Sequence, residues 1–238
     1  MRPGLAEALS IGDPAIEVRL RRNARARRMI LRIARPGPVP VLTLPPGVPV
    51  AKARAFLSDQ EGWLRKHVAA SAPRRLVQEG ALLPVRDGTL TVRASGGRGA
   101  RARDGLLLVP GRAAEMPTRV VAWLLEEARR DCMAGVERHS AALGLPHGRV
   151  TLRDTRSRWG SCTCAGDLMF SWRLIMAPSA VLDYVVAHEV AHLAEMNHST
   201  RFWAQVERLF PDHKGPRAWL RRNGAGLHAW DFSRPAEG

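Results

Sequence analysis

From Val181 to Leu193 the chain reads VLDYVVAHEVAHL, apolar at almost every position apart from Asp183 and the cluster His188, Glu189 and His192. A helix that is apolar nearly all round has to be buried on most sides, so this segment is expected to be a central element around which a domain is built. Burying two imidazoles and a carboxylate without partners is expensive. The segment therefore calls for something that satisfies all three groups at once, and a metal ion does so.

Residues four apart on an α-helix lie on one face, about one turn apart. His188 and His192 thus aim at one point, and Glu189 sits one residue round, within reach of a water bound there. This is the H-E-x-x-H pattern, in which two histidines hold zinc and the glutamate acts as general base. Catalytic zinc takes a third protein ligand and keeps one position open. His198, six residues beyond His192, reaches the ion only if the helix breaks and the chain doubles back. That break is expected near Met196–Asn197, because asparagine tolerates a left-handed helix ending. The spacing HExxHxxxxxH matches the metzincin ligand arrangement, with Glu195 where metzincins place glycine. Glu195 lies a further turn along a straight helix, so it is expected to hydrogen-bond the outer nitrogen of His192 or to be a solvated helix-end acid. The expected site is one Zn2+ on His188, His192 and His198, with Glu189 catalytic.

Around this core the sequence offers further candidates. The stretch RSRWGSC, read as a loop between two strands, could use Arg156, Arg158 and Ser161 to bind an anionic group or a developing oxyanion, with Trp159 as a stacking floor. It could equally be a structural loop with solvated arginines. Tyr184, four residues before His188, either hydrogen-bonds a tetrahedral intermediate or packs at a cavity edge. His213 reads as a first-turn residue of the last helix rather than a proton donor. Cys162 and Cys164 form a C-x-C without a matching pair, and with Cys132 they make an odd count of three. A disulfide framework is not expected, and a reducing cytoplasm is. The opening residues lack the continuous apolar stretch of an export signal, and no apolar run approaches a membrane span.

The fold class expected is α+β, in two domains. Residues 1–112 alternate short β-like runs (AIEVRL, RMILRIA, VPVLTLP, TLTVRA, GLLLVPG) with a helical segment carrying Phe56, Leu57, Trp63, Leu64 and Val68, which suggests a small, mainly β domain. The stretch Ser95–Gly105 reads as a flexible basic hairpin loop. Residues 113–238 open with a helix from about Pro117 to Leu143, stopped by Gly144 and Pro146. Two strands (RVTLRDT and DLMFSWRLIM), the histidine helix and two shorter helices follow. No internal repeat is visible.

These segments resemble the YgjP-like family of metallopeptidase-fold proteins, kin to the SprT and WLM groups. TRSRWGSC, FSWRLIMAP, LDYVVAHEVAHLAEMNHSTRFW and FPDHKGPRAWLRRNG carry the resemblance in order and spacing over residues 150–224. RRNARARRMILRI and GWLRKH extend it more loosely into the first half. The resemblance implies a zincin-like C-terminal domain with zinc at His188, His192 and His198, Glu189 catalytic, and a strand near the metal that presents an extended substrate.

Charge bears on partners. The chain carries a net charge of +15, and residues 1–112 hold 21 basic against 8 acidic side chains. The basic half could attract a nucleotide or nucleic acid, or could be an Arg-rich solvated surface. Three functions are therefore in view. The leading one is a zinc metallohydrolase cleaving peptide bonds in a peptide or protein substrate. A second is metal-dependent hydrolysis of nucleoside triphosphates, although no Walker-type phosphate loop is present. A third is a nucleic-acid-associated protein with structural zinc, which an intact Glu189 argues against because structural zinc fills its fourth position with protein.

Overall fold

The computed structural model describes residues 8–12, 15–33, 40–69 and 74–233. The first seven residues, part of the opening stretch read for an export signal, lie outside the described residues. The architecture is mixed α+β, and the chain divides into two compact units, residues 1–74 and 75–238.

In the first unit β1 (Ala8–Ile11), β2 (Ile16–Arg22), β3 (Ile30–Ile33) and β4 (Pro40–Leu44) form a sheet in the order β1-β2-β4-β3. The central pair β2–β4 is parallel and the outer pairs are antiparallel. Along β2, Val18 and Leu20 are buried while Arg19 and Arg21 are exposed, the period-two pattern of a half-buried strand. Two helices follow, α1 (Val50–Asp59) and α2 (Glu61–Ala69), separated at Gln60. Ala53, Leu57 and Leu64 close a core with Val18, Leu20, Leu42 and Leu44.

The second unit begins with β5 (Arg75–Leu76), β6 (Leu82–Val85), β7 (Gly88–Ser95), β8 (Arg101–Arg103) and β9 (Leu106–Pro110). Its four-stranded sheet runs β6-β7-β9-β8, again with a parallel centre and antiparallel outer pairs. The two sheets thus share one strand order and one pattern of pairing. β8 lies inside the stretch expected to be a flexible loop. Asp104 (φ 50°) and Gly105 (φ 74°) make the two-residue hairpin that joins it to β9, the geometry that favours Asp-Gly.

Helix α3 (Met116–Leu143) carries Pro117 in its first turn and ends at Gly144 with φ 77°. Val85, Val92, Leu107 and Val109 share one core cluster with Val120, Leu124 and Val136 of α3. The division expected at residue 112 therefore falls inside the second unit: the β6–β9 sheet needs α3 to cover its apolar face.

A second sheet comprises β10 (Val150–Arg153), β11 (Gly160–Cys162) and β12 (Leu168–Ser171), in the order β10-β12-β11. β11 occupies part of the stretch read as a loop. The long strand expected over Asp167–Met176 stops at Ser171 and gives way to a 3-10 turn over Trp172–Met176, every residue of which is buried. A short, fully buried apolar run carries no periodicity to separate the two. Inside that turn the Arg173 guanidinium meets Asp154 at 2.6 and 3.0 Å and donates to the carbonyls of Leu227 and Trp230.

Helices α4 (Ser179–Ala191), α5 (Thr200–Leu209) and α6 (Lys214–Leu227) follow, and β13 (Trp230–Asp231) pairs in parallel with β5. α4 is the central helix expected: Val181, Leu182, Val185, Val186, Ala187, Val190 and Ala191 are all buried. A Cβ at Gly135 of α3 would lie 3.2 Å from Val186 Cγ1, so the small residue sets how closely α3 and α4 approach. Asp183 of α4 accepts from Arg138 at 2.6 Å and lies 2.7 Å from His139 Nε2. No helix among the described residues is long and apolar enough to cross a membrane.

Candidate metal centre

The last turn of α4 presents His188 and Glu189, and His192 caps it. The helix ends there, earlier than the expected break at Met196–Asn197, and no residue between 192 and 199 takes a positive φ. The chain turns instead through tightened backbone bonds, Leu193 N–H to Val190 O at 2.9 Å and Ala194 N–H to Ala191 O at 3.1 Å. Asn197 Oδ1 accepts from Ser199 N–H at 3.1 Å, and Ser199 Oγ caps α5 at Phe202 N–H. An asparagine turn and a serine cap thus do the work assigned to a left-handed residue.

The doubling back carries His198 to the helix: its Nε2 lies 3.1 Å from His188 Nε2. One ring nitrogen from each of His188, His192 and His198 falls within 4.8 Å of the others, the group of that kind found among the described residues. His192 Nδ1 lies 2.9 Å from the backbone oxygen of Glu195. That carbonyl can only accept, so Nδ1 carries the hydrogen and Nε2 keeps its lone pair for the cluster. Glu195 therefore orients His192 through its main chain, while its carboxylate faces Arg201 at 3.9 Å. Phe202 braces all three imidazoles, with ring centroids 4.8 Å from His188, 4.4 Å from His192 and 4.7 Å from His198.

Burial, reinforced by the neighbouring imidazoles of His192 and His198, pushes His188 down to about 3, so it stays neutral. Burial likewise lowers His192. Three imidazole nitrogens converging in this way fit one divalent cation of zinc type, which takes imidazole readily and leaves a fourth position open.

Glu189 is buried, and burial raises its carboxyl to about 7, with Arg158 pulling the other way. Its side chain lies over β11. A Cβ on Gly160 would sit 2.5 Å from Glu189 Cγ and 2.6 Å from Oε1, so any larger residue there would have to displace the Glu189 side chain. Gly160 is thus a residue of the site, and its sole advance signal was its place within RSRWGSC.

These groups line a cleft of about 420 Å³. Of the candidates from RSRWGSC, Arg158, Trp159 and Ser161 reach it, and Arg156 does not line it. Trp159 presents one wall, with its ring stacked on His228 at 4.9 Å and packed against Gly224, where a Cβ would come within 2.9 Å. Tyr184 is buried at the cleft edge, 5.9 Å from the His188 ring, and its hydroxyl is raised, chiefly by burial. Cys162, of the C-x-C pair, also lines the cleft, with its thiol pushed up to about 11 by burial and by Glu189. Met196 and Leu220 complete the apolar rim. His213 sits at the N-terminal cap of α6, as expected, with Nε2 2.7 Å from Glu207.

Among solved structures, the metallopeptidase zymogen of Pyrococcus abyssi abylysin aligns with 39% of this chain and 92% of its own, at 22% identity and a TM-score of 0.35. No curated protein matches the chain. The YgjP-like, metallopeptidase domain family matches residues 27–223, a span that takes in every residue of the cleft. The chain belongs to the YgjP-like family and carries its metallopeptidase domain.

Proposed function

We propose that the protein is a zinc-dependent peptidase in which His188, His192 and His198 hold one ion and Glu189 is the general base. The observation that carries this reading is the meeting of three imidazoles with a buried carboxylate over Gly160. When bound, zinc supplies acidity to a water and polarisation to the scissile carbonyl.

The protein's own groups do the rest. Glu189 takes the proton of the attacking water and passes it to the leaving nitrogen. Its carboxyl, near 7, can hold and release that proton at neutral pH. β11 is an edge strand of its sheet, so its outer backbone groups are free to pair with an extended peptide. Arg158, Ser161 and Tyr184 border the cleft and are the groups available to charge developing on the carbonyl oxygen. Trp159 and Leu220 supply apolar walls for a neighbouring side chain.

Nucleotide hydrolysis has less support, because among the described residues Arg158 is the one guanidinium that lines this cleft and a triphosphate calls for several. The test is to incubate zinc-loaded wild type and Glu189→Gln with a proteome-derived peptide mixture and read new termini by mass spectrometry. Cuts made only by wild type support the reading. No cuts with zinc bound to both proteins count against it.

A further inference from the structure

We infer that the open face of the β10-β12-β11 sheet is a substrate-selecting groove for acidic peptide segments; this deepens, and rests on, the peptidase reading. The groove, about 350 Å³, shares the lining residues Arg158 and Ser161 with the cleft and so adjoins it.

The strand registers build this face from rows that are polar at their ends. Thr151 and Ser161 each pair with Met169, which makes one row across the three strands. Arg149 and Thr163 flank Asp167 in the next, through the backbone bonds Leu168 N–H to Arg149 O and Thr163 N–H to Asp167 O. Arg149, Thr151 and Arg153 alternate along β10, so they share a face, while Val150 and Leu152 pack on the core behind. The result is a floor of Thr151, Met169 and Ser161 with guanidinium groups at its rim.

Charge decides what such a groove accepts. Arg149 and Arg153 are exposed and form no ion pair with the described residues. Among the described residues one acid lines the groove, Asp167, whose Oδ1 accepts from Arg149 N–H at 2.8 Å; it is outnumbered there by Arg149, Arg153 and Arg158. Two free guanidinium groups four residues apart on a strand stand on the order of 13 Å from each other. An extended peptide carrying two Asp or Glu side chains on one face can meet both, and the Thr and Ser hydroxyls can serve its backbone or carboxylates. Single-stranded nucleic acid fits less well, because no aromatic ring lines the groove to stack its bases.

The test uses zinc-loaded Glu189→Gln, which binds without cutting, and three fluorescent probes in low salt: a glutamate-containing peptide, its glutamine counterpart and a single-stranded oligothymidylate. Anisotropy should show the glutamate peptide binding on the order of tenfold tighter than the glutamine peptide. Adding Arg149→Glu and Arg153→Glu, both at exposed positions, should abolish that difference and leave the glutamine peptide unchanged; Arg149→Gln with Arg153→Gln should show the loss more mildly. Equal binding of the two peptides, a preference that survives charge reversal, or Arg-dependent binding confined to the oligonucleotide overturns the inference. Cleavage of the peptide mixture by wild type separates the two readings. Cuts without acidic enrichment, unchanged by Arg149→Glu and Arg153→Glu, remove the groove and keep the peptidase. Arg-dependent glutamate binding with no cuts keeps the groove and removes the peptidase.

Discussion

Gly160 lies directly beneath Glu189: a Cβ there would come within 2.5 Å of Glu189 Cγ and 2.6 Å of Oε1. A strand residue thus determines where the carboxylate sits, although the two are far apart in sequence. Gly160→Ala should push the Glu189 side chain aside while leaving the three imidazoles alone. Displacing a reacting group by about 1 Å can cost on the order of 100-fold in turnover. Zinc content should stay that of wild type, and Gly160→Ala combined with Glu189→Gln should be no slower than Glu189→Gln alone. Metal loss in Gly160→Ala would mean that the strand supports the imidazoles instead.

His198 and Glu195 are neighbours in sequence with different expected consequences. His198→Ala removes one of three converging nitrogens and should lose most bound zinc, read by elemental analysis after dialysis. Glu195→Gln should retain it, because His192 Nδ1 is held by the Glu195 backbone oxygen at 2.9 Å and not by the carboxylate. Backbone partners survive side-chain replacement, and that contrast separates the two roles.

How far the sequence reveals this site depends on which signals are local. His188, Glu189 and His192 are legible because helical spacing alone brings them together, and the apolar surroundings forbid them to stand unpartnered. His198 is legible from the need for a third ligand, but the manner of its return is not: an asparagine turn followed by a serine cap looks, in sequence, like any loop. Gly160 and Phe202 escape because each acts across elements distant in the chain, and nothing local marks a glycine as a floor or a phenylalanine as a brace. The edge strand Gly160–Cys162 is too short and polar for period two to show. The boundary at residue 74 escapes for a related reason, since burial of the β6–β9 sheet depends on α3, which follows it in the chain.

Arg173 tests the scaffold behind the site. Its buried guanidinium holds Asp154 and two carbonyls, those of Leu227 and Trp230, and thereby ties the 3-10 turn to the end of the chain. Arg173→Leu would leave those acceptors unpaired, at a cost of about 3 kcal/mol in unfolding free energy. Chemical denaturation should show a lower midpoint at unchanged slope. A midpoint equal to that of wild type would mean that water replaces the guanidinium.

Asp183 carries the acid dependence of the α3–α4 contact. Burial alone would raise its carboxyl, but His139 Nε2 at 2.7 Å and the Arg138 guanidinium at 2.6 Å more than offset that, and it titrates below the usual aspartate range. A carboxyl depressed in the folded state stabilises most above its unfolded pKa of about 3.9, and that stabilisation fades as pH falls toward the folded value. Asp183→Asn should therefore cost about 1–3 kcal/mol near neutrality, where the ionised pair is lost. Thermal melts of wild type and Asp183→Asn should converge as the pH is lowered from about 5 toward 2. A gap that stays constant over that range would show that the asparagine disturbs packing, and that the charge on Asp183 contributes nothing to the contact.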